Sequence, residues 1–381
     1  MDISFKFDPE VIIGTDTLSL AGTICSRYGD RMMIAADHTL DAQTIKRLKD
    51  ILEDARIEAI VFDGIEETSG AEMADNIVEL CRAAHCTAVI GFGGHKAQVI
   101  ARMAAIMSPM RISSFELLDG RNFQNKFLPF IAIPTVGLDA FSFTGYFPAA
   151  DPRDRMVKLV KSPDKLYAAV IVDSSLNQPV RGDEAAAVFE GFFTALEAYC
   201  SSKASFLSDA LLERALNIYA KLLTKSAGDP LSPGSADADT AAQAAFLASL
   251  GTAASSPGAG AALSFAINAR FPVSRHRCAA ALLPFVAERL IASRPEKMAC
   301  AASFLGNAGK PASVADAANS ALAGIRSCME AFNIQPNLKE FNIPLDRLTS
   351  VAEAARNLEF VASSPWTVSE EAVFDILKNI L

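Results

Sequence analysis

The stretch AVIGFGGHK, residues 88–96, decides how this chain folds. Apolar residues lead into closely spaced glycines, and residues 97–107 continue with helical spacing, which predicts a buried strand, a tight turn and a helix. Glycines after a strand let the backbone approach a phosphate, and the helix N-terminus supplies N–H groups and a positive dipole end. Gly91, Gly93 and Gly94 are therefore candidate cofactor-binding residues, although a turn without a ligand also favours glycine.

Short apolar strands and amphipathic helices alternate on both sides of this stretch. The alternation predicts a parallel sheet covered on both faces, which is a Rossmann-like α/β nucleotide-binding domain over residues 1–178. The predicted strands are 32–36, 58–62, 87–90, 130–133 and 168–172, and the predicted helices are 42–55, 70–84 and 97–107.

Asp37 follows the first of these strands. An acidic residue at this point can accept hydrogen bonds from a ribose and repel a 2′-phosphate, so it favours NAD over NADP. The alternative for Asp37 is a structural role as the cap of a helix or turn.

The pattern changes after Asp173, where helical periodicity replaces the alternation and prolines separate the segments. We therefore expect an all-helical domain over residues 179–381. The predicted helices are 184–199, 208–223, 238–250, 260–269, 278–292, 313–331, 345–355 and 369–380.

The composition is that of a globular, acidic chain. Of 381 residues, 51% are hydrophobic, and the net charge is −9. A chain of this charge without a basic cluster is a poor candidate for binding nucleic acid or an anionic membrane, and no apolar run reaches transmembrane length. No signal peptide is evident, and seven cysteines are scattered without a CxxC pair. We expect a cytoplasmic protein whose cysteines are reduced.

Glu190, Thr194 and Glu197 share one face of a predicted helix. A carboxylate with a second ligand four residues later can hold a metal, but the threonine at the second position is a poor ligand. The alternative is a partly buried polar stripe without a ligand.

Several stretches, taken in order, resemble the iron-containing alcohol dehydrogenase family, which includes glycerol dehydrogenase-like and maleylacetate reductase-like proteins. The resemblance runs nearly end to end and implies a dehydroquinate synthase-like architecture, with an N-terminal nucleotide-binding domain and a C-terminal helical domain that holds a metal. It also implies NAD(P) as cofactor, Thr135 and Lys158 as cofactor-binding residues, and a possible homodimer. The stretches are PEVIIG at 9–14, GGHKAQVIAR at 93–102, IPTVGLDAFS at 133–142, residues 158–173, EGFFTALEAY at 190–199 and PWTV at 365–368.

The glycine loops depart from the family pattern. His95 replaces the third glycine of the first loop, and Lys96 replaces a serine, although its charge could meet a phosphate instead. In the second loop Phe141 is large where the resemblance places the cofactor.

The implied metal site departs further. The resemblance aligns the family's metal-binding aspartate with Glu190 and its first histidine with Thr194, and the next histidine falls within residues 262–267, which contain none. His276 matches the last histidine, but arginines at 275 and 277 flank it. A catalytic metal usually has three protein ligands, so Glu190 and His276 are expected to form at most a degraded site for iron or zinc. Arg275 or Arg277 could supply a fixed cation and His276 a proton, unless these residues form a solvated basic turn.

These observations favour an NAD(P)-linked oxidoreductase that acts on a small alcohol or aldehyde, with Arg275 and His276 as catalytic residues. An alternative is a catalytically silent relative that serves as a ligand- or partner-binding scaffold. A non-redox lyase resembling dehydroquinate synthase is a third interpretation.

Overall fold

The computed structural model describes residues 5–66, 69–121, 126–176, 184–225, 235–306 and 313–381. The described residues form two compact units, and the chain passes between them more than once. The first unit takes its residues from Met1–Asp139, Thr144–Gln178 and Ser232–Ala242, and the second from Ala140–Phe143, Pro179–Leu231 and Gln243–Leu381.

The first unit contains a six-stranded sheet in which all neighbouring strands run parallel. This confirms the sheet that the sequence predicts. The spatial order is β1-β8-β5-β4-β2-β3. The strands are β1 Glu10–Gly14, β2 Arg31–Asp37, β3 Glu58–Ile65, β4 Ala88–Gly93, β5 Phe130–Pro134 and β8 Tyr167–Asp173.

A hairpin of two antiparallel strands, β6 and β7, forms a separate sheet that the sequence analysis did not predict. Its strands are short, and Pro148 interrupts the usual strand composition within the first of them, which explains why the pattern was missed. The strands are β6 Tyr146–Asp151 and β7 Met156–Lys161.

Helices flank the six-stranded sheet and bury their apolar faces in its core. In the second of them Leu48 and Leu52 are fully buried, and Asp41 caps its N-terminus by accepting a hydrogen bond from the Thr44 N–H at 2.7 Å. The helices of this unit are α1 Ala21–Cys25, α2 Ala42–Asp54, α3 Met73–Ala83, α4 His95–Met107 and α5 Ser114–Leu118.

The strand order reverses between β2 and β4, because β2 pairs with β3 on one side and with β4 on the other. In open parallel sheets the crevice at such a switch point, outside the carboxyl ends of the strands, is the usual ligand site. Asp37 ends β2 and Gly93 ends β4, so these two of the predicted cofactor-binding residues lie at this position.

Helices follow from residue 184 to the end of the chain in the part that the structure describes. One of them, Pro295–Phe304, was not predicted from the sequence, and it begins with a proline at its first position. No described helix is both long and apolar enough to span a membrane. The helices are α6 Glu184–Cys200, α7 Phe206–Thr224, α8 Ala236–Ala253, α9 Ala259–Asn268, α10 Arg275–Ser293, α11 Pro295–Phe304, α12 Val314–Ala331, α13 Leu348–Arg356 and α14 Glu370–Ile380.

Helix α6 packs against α7 and α10. Its Glu197 side chain also bonds the N-terminus of α9. The Glu197 carboxylate accepts hydrogen bonds from the Gly260 and Ala261 N–H groups, each at 2.7 Å, and so caps the start of α9. A Cβ atom on Gly258 would lie 2.5 Å from the carboxylate, which explains the glycine there. Burial raises the pKa of Glu197 to about 7, although the N–H donors oppose this shift.

We predict that this carboxyl group makes stability depend on pH. Its pKa is raised on folding from 4.5 to about 7, so its contribution is complete below pH 4.5 and is lost as the pH rises towards 7. Relative to Glu197→Gln, the wild-type free energy of unfolding should fall by about 3 kcal/mol across this window. Denaturant titrations at a series of pH values measure the difference. The exposed Glu353→Gln is the control, and a pH-independent gap between wild type and Glu197→Gln would contradict the prediction.

Candidate functional site

The turn between β4 and α4 is held in a conformation that only glycine adopts readily. Gly93 has a φ of +134°, and a Cβ atom there would lie 2.3 Å from the Asp37 Cβ. Gly94 is the N-cap of α4 and has no side chain to cover the first-turn N–H groups. The Thr135 N–H donates to the Gly93 carbonyl at 3.2 Å, so the ends of β2, β4 and β5 converge on this turn.

The Asp37 carboxylate lies directly on the turn. Its Oδ2 accepts from the Gly94 N–H at 3.3 Å, and its Oδ1 accepts from the Thr39 N–H and hydroxyl at 3.0 and 2.8 Å. Its side chain is 13% exposed. Asp37 therefore does cap a turn, and this cap fixes the carboxylate beside the glycines.

Gly91 has a packing role instead of facing the edge of the sheet. It lies within β4, and a Cβ atom there would be 2.9 Å from both the Gln98 Oε1 and the Phe130 ring. The Gln98 Nε2 donates to the Gly91 and Gly93 carbonyls at 2.8 and 3.3 Å, and thereby supports the turn from below. The sequence analysis missed Gln98, although a glutamine on the buried face of a helix was the available signal.

His95 and Lys96 are the first two residues of α4, and both are partly buried. The His95 Nδ1 lies 3.0 Å from the Asp139 Oδ2, and Asp139 is only 5% exposed. The histidine that replaces a family glycine thus pairs with an aspartate of the loop after β5. Sequence reasoning missed Asp139, whose only signal is a charged residue within a loop that the family builds from small ones.

The structure places Thr135 and Lys158 differently. Thr135 is 2% exposed and directly follows β5, next to the glycine turn. Lys158 lies on β7 of the hairpin, where its Nζ is 3.4 Å from an Asp154 oxygen.

In the second unit Glu190, Arg275 and His276 form one buried cluster. Arg275 Nε donates to one oxygen of the Glu190 carboxylate, and His276 Nδ1 pairs with the other. The three residues are 8%, 9% and 7% exposed, respectively. The Arg275 guanidinium also lies 4.8 Å from the Phe265 ring centroid. The structure thus brings together both predicted catalytic residues and the predicted carboxylate ligand.

The two neighbours that sequence analysis considered lie in other environments. The Thr194 hydroxyl donates to the Glu190 main-chain carbonyl at 3.0 Å. Arg277 pairs at 2.7 Å with Glu340, whose side chain is 60% exposed. Neither arginine lies in a solvated turn, since both belong to the first turn of α10 and their side chains are 10% and 13% exposed, respectively.

Two side chains of this cluster are of the kinds that bind iron or zinc. Glu190 supplies a carboxylate and His276 an imidazole, which pair with each other, and the Arg275 guanidinium is bonded to the same carboxylate. A catalytic metal usually has three protein ligands and an open position. Glu190 and His276 could therefore supply two of the ligands that such a site needs.

Phe141 belongs to the second unit and is 2% exposed. Its ring packs edge-to-face on Phe265 at 5.2 Å and lies 5.5 Å from the Phe360 ring. The large residue expected in the cofactor position is part of an aromatic cluster next to Arg275.

Comparisons with known proteins cover nearly the whole chain. The family model described as "Iron-containing alcohol dehydrogenase" matches residues 8–174, and that of the "Fe-containing alcohol dehydrogenase family, C-terminal" matches residues 185–381. The 1,3-propanediol dehydrogenase of Citrobacter freundii is 22% identical over 96% of this chain and 95% of its own. The NAD-dependent methanol dehydrogenase of Bacillus methanolicus is 21% identical over 99% of this chain and 100% of its own.

The fold is also that of a solved 1,3-propanediol oxidoreductase, with a TM-score of 0.91 at 21% identity over the full length of both chains. With both halves matched by the family models, the chain belongs to the iron-containing alcohol dehydrogenase family and is an oxidoreductase of the alcohol dehydrogenase class.

Proposed function

We propose that this chain is an NAD(P)-linked oxidoreductase that acts on a small alcohol or aldehyde. The observation that carries the proposal is the Asp37 carboxylate fixed on the Gly93–Gly94 turn at the switch point of the parallel sheet. Relatives whose names specify 1,3-propanediol and methanol as substrates, one of them NAD-dependent, support it.

The residues of the turn suit a dinucleotide. Gly93 and Gly94 carry no side chains, and the first turn of α4 presents its positive dipole end to an anion. Lys96 lies in that same first turn, where its positive charge could meet a phosphate. We assign the pyrophosphate to this turn, with Thr135 beside it, and Lys158 to a more distant contact. Gly91 supports the turn through packing.

Asp37 decides the form of the cofactor in this proposal. A fixed carboxylate accepts hydrogen bonds from ribose hydroxyls, and its negative charge repels a 2′-phosphate. NAD is therefore the expected cofactor, and when bound it supplies the hydride acceptor.

The cluster of the second unit supplies the charged groups. The Arg275 guanidinium places a permanent positive charge that can stabilise a developing negative charge on a substrate oxygen, and His276 can hold or release a proton. Glu190 orients both side chains through its two oxygens. We propose that the inherited metal site is degraded, and these roles do not depend on iron or zinc.

Cofactor preference tests Asp37. We expect calorimetric titration to give saturable binding of NADH at micromolar strength and binding of NADPH at least about tenfold weaker. Asp37→Asn removes the negative charge but keeps the size of the side chain, so the affinities for NADH and NADPH should become more similar. Equal affinity of the wild type for both cofactors would contradict the role of Asp37.

The glycine turn is tested by Gly93→Ala against Gly120→Ala. Both glycines have positive φ, but a Cβ atom at Gly120 meets nothing within 4 Å, whereas at Gly93 it collides with Asp37. We expect Gly120→Ala to lose about 1 kcal/mol of stability, and Gly93→Ala to lose about 3 kcal/mol together with NADH binding. Urea unfolding and titration calorimetry measure both. If Gly93→Ala bound NADH with the wild-type affinity, the assignment of the cofactor to this turn would be wrong.

Turnover tests the buried cluster. Arg275→Ala and His276→Ala should each lower kcat about 100-fold or more on whichever substrate of an alcohol and aldehyde panel is turned over, while NADH affinity is kept. Arg277→Ala, with its surface partner Glu340, is the matched control and should retain activity. No turnover on the panel, with and without iron or zinc, would count against the proposed reaction.

Metal content tests the degraded site separately. We expect the purified protein to hold far less than one equivalent of iron or zinc, and chelation to leave turnover unchanged. Stoichiometric metal that is lost in Glu190→Ala and His276→Ala would show that the inherited site persists, and would leave the rest of the proposal standing.

A further inference from the structure

Two cysteines, Cys81 and Cys86, meet where α3 ends. His85 adopts a left-handed φ of 54°, and its N–H donates to the Arg82 carbonyl at 3.2 Å. The Cys86 N–H donates to the Cys81 carbonyl at 2.9 Å. This pattern is a Schellman ending, in which the side chains at these two positions contact each other across the turn. Apolar residues usually make that contact, and here both are cysteines.

The two thiols have different surroundings. Cys81 is 2% exposed, and contact with Cys86 together with burial raises its pKa. Cys86 is 8% exposed, and contact with Cys81 lowers its pKa, with a smaller lowering from Arg31 that burial and Glu58 oppose. Arg31 is fixed beside the turn, since its Nη1 donates to the Ala84 carbonyl at 2.8 Å. Cys86, the more exposed residue of the two, therefore has the greater thiolate character, which is the reactive form.

We propose that Cys81 and Cys86 are a redox-active dithiol that hydroperoxides convert into an intramolecular disulfide. The Cys86 thiolate attacks one peroxide oxygen, so an S–O bond forms, the O–O bond breaks and Cys86 becomes a sulfenic acid. The departing oxygen takes up a proton and leaves as water or an alcohol. The Cys81 thiol then attacks the sulfenic sulfur, the S–O bond breaks, and the Cys81 proton leaves with that oxygen as water. Two thiols lose two electrons, and the peroxide gains them.

The backbone already holds the pair in place for this step. Cysteines whose Cα atoms are far apart need backbone movement before they can be bridged. Here the hydrogen bond from Cys86 to Cys81 fixes the two residues against each other. The bond would fasten the end of α3 to the residues that lead into β4, the strand that ends in the Gly93 turn.

Four other cysteines differ from this pair in the cause of their pKa shifts. Burial raises the pKa of Cys25 and Cys200 to about 12 each, and it also raises the pKa of Cys300 and Cys328. Cys300 is the most exposed of the cysteines, since all the others are buried. It is therefore the natural control for reactivity that depends on access alone.

Peptide mapping of the reduced, full-length protein after treatment with hydrogen peroxide tests the proposal. Free thiols are blocked with N-ethylmaleimide and the chain is cut with trypsin under non-reducing conditions. Because Arg82 lies between the two cysteines, they fall on separate peptides, so a disulfide appears as a linked pair that dithiothreitol splits. We expect this pair to accumulate at least about tenfold faster than oxidation of Cys300.

Variants separate the two sulfurs. Cys81→Ser should leave Cys86 as a sulfenic acid that dimedone traps, Cys86→Ser should leave Cys81 reduced, and Cys300→Ser should form the pair at the wild-type rate. Mixing isotopically labelled with unlabelled protein shows whether the link lies within one chain. The proposal is overturned if Cys86 remains alkylatable at a dose that oxidises Cys300, or if the link joins two chains. The results for the wild type and Cys300→Ser test the proposal even if a variant at Cys81 fails to fold.

Discussion

The approach of the end of β2 to the turn after β4 is the constraint on which the first unit depends. Gly93 must have a positive φ and no side chain, because Asp37 occupies the space that a Cβ atom would take. The Asp37 carboxylate in turn accepts the Gly94 N–H. This contact sets where α4 begins, and therefore where His95 and Lys96 lie. A parallel sheet with this strand order brings the two elements to one edge, so the fold and the turn specify each other.

The sequence predicts the parts of this arrangement that depend on periodicity. Five of the six parallel strands lie at or near segments whose apolar residues predict a buried strand, and α4 follows its glycines directly. The first strand entered only through the resemblance. The β6–β7 hairpin was missed because Pro148 interrupts the strand composition of β6, and α11, which begins at a proline, was not predicted.

The bonding partners of individual side chains could not be predicted from the sequence, because they depend on tertiary packing. A glycine that makes room for a helix and a glycine that makes room for a ligand look the same in a sequence, which is why Gly91 was grouped with Gly93. His95 pairs with Asp139, and Gln98 donates to the Gly91 carbonyl. The spacing of these residues along the chain does not predict either contact. The members of the Glu190 cluster were predicted through the resemblance. The bonds that join them to one another were not predicted.

Helix α6 shows how a buried carboxylate is accommodated in two ways. Glu197 accepts the N–H groups that begin α9, and burial raises its pKa to about 7. Glu190, seven residues earlier, pairs instead with Arg275 and His276 of α10. An unpaired buried charge is strongly destabilising, so each glutamate requires its partner. Arg275 meets this need for Glu190, because its guanidinium is a permanent cation bonded directly to the buried carboxylate.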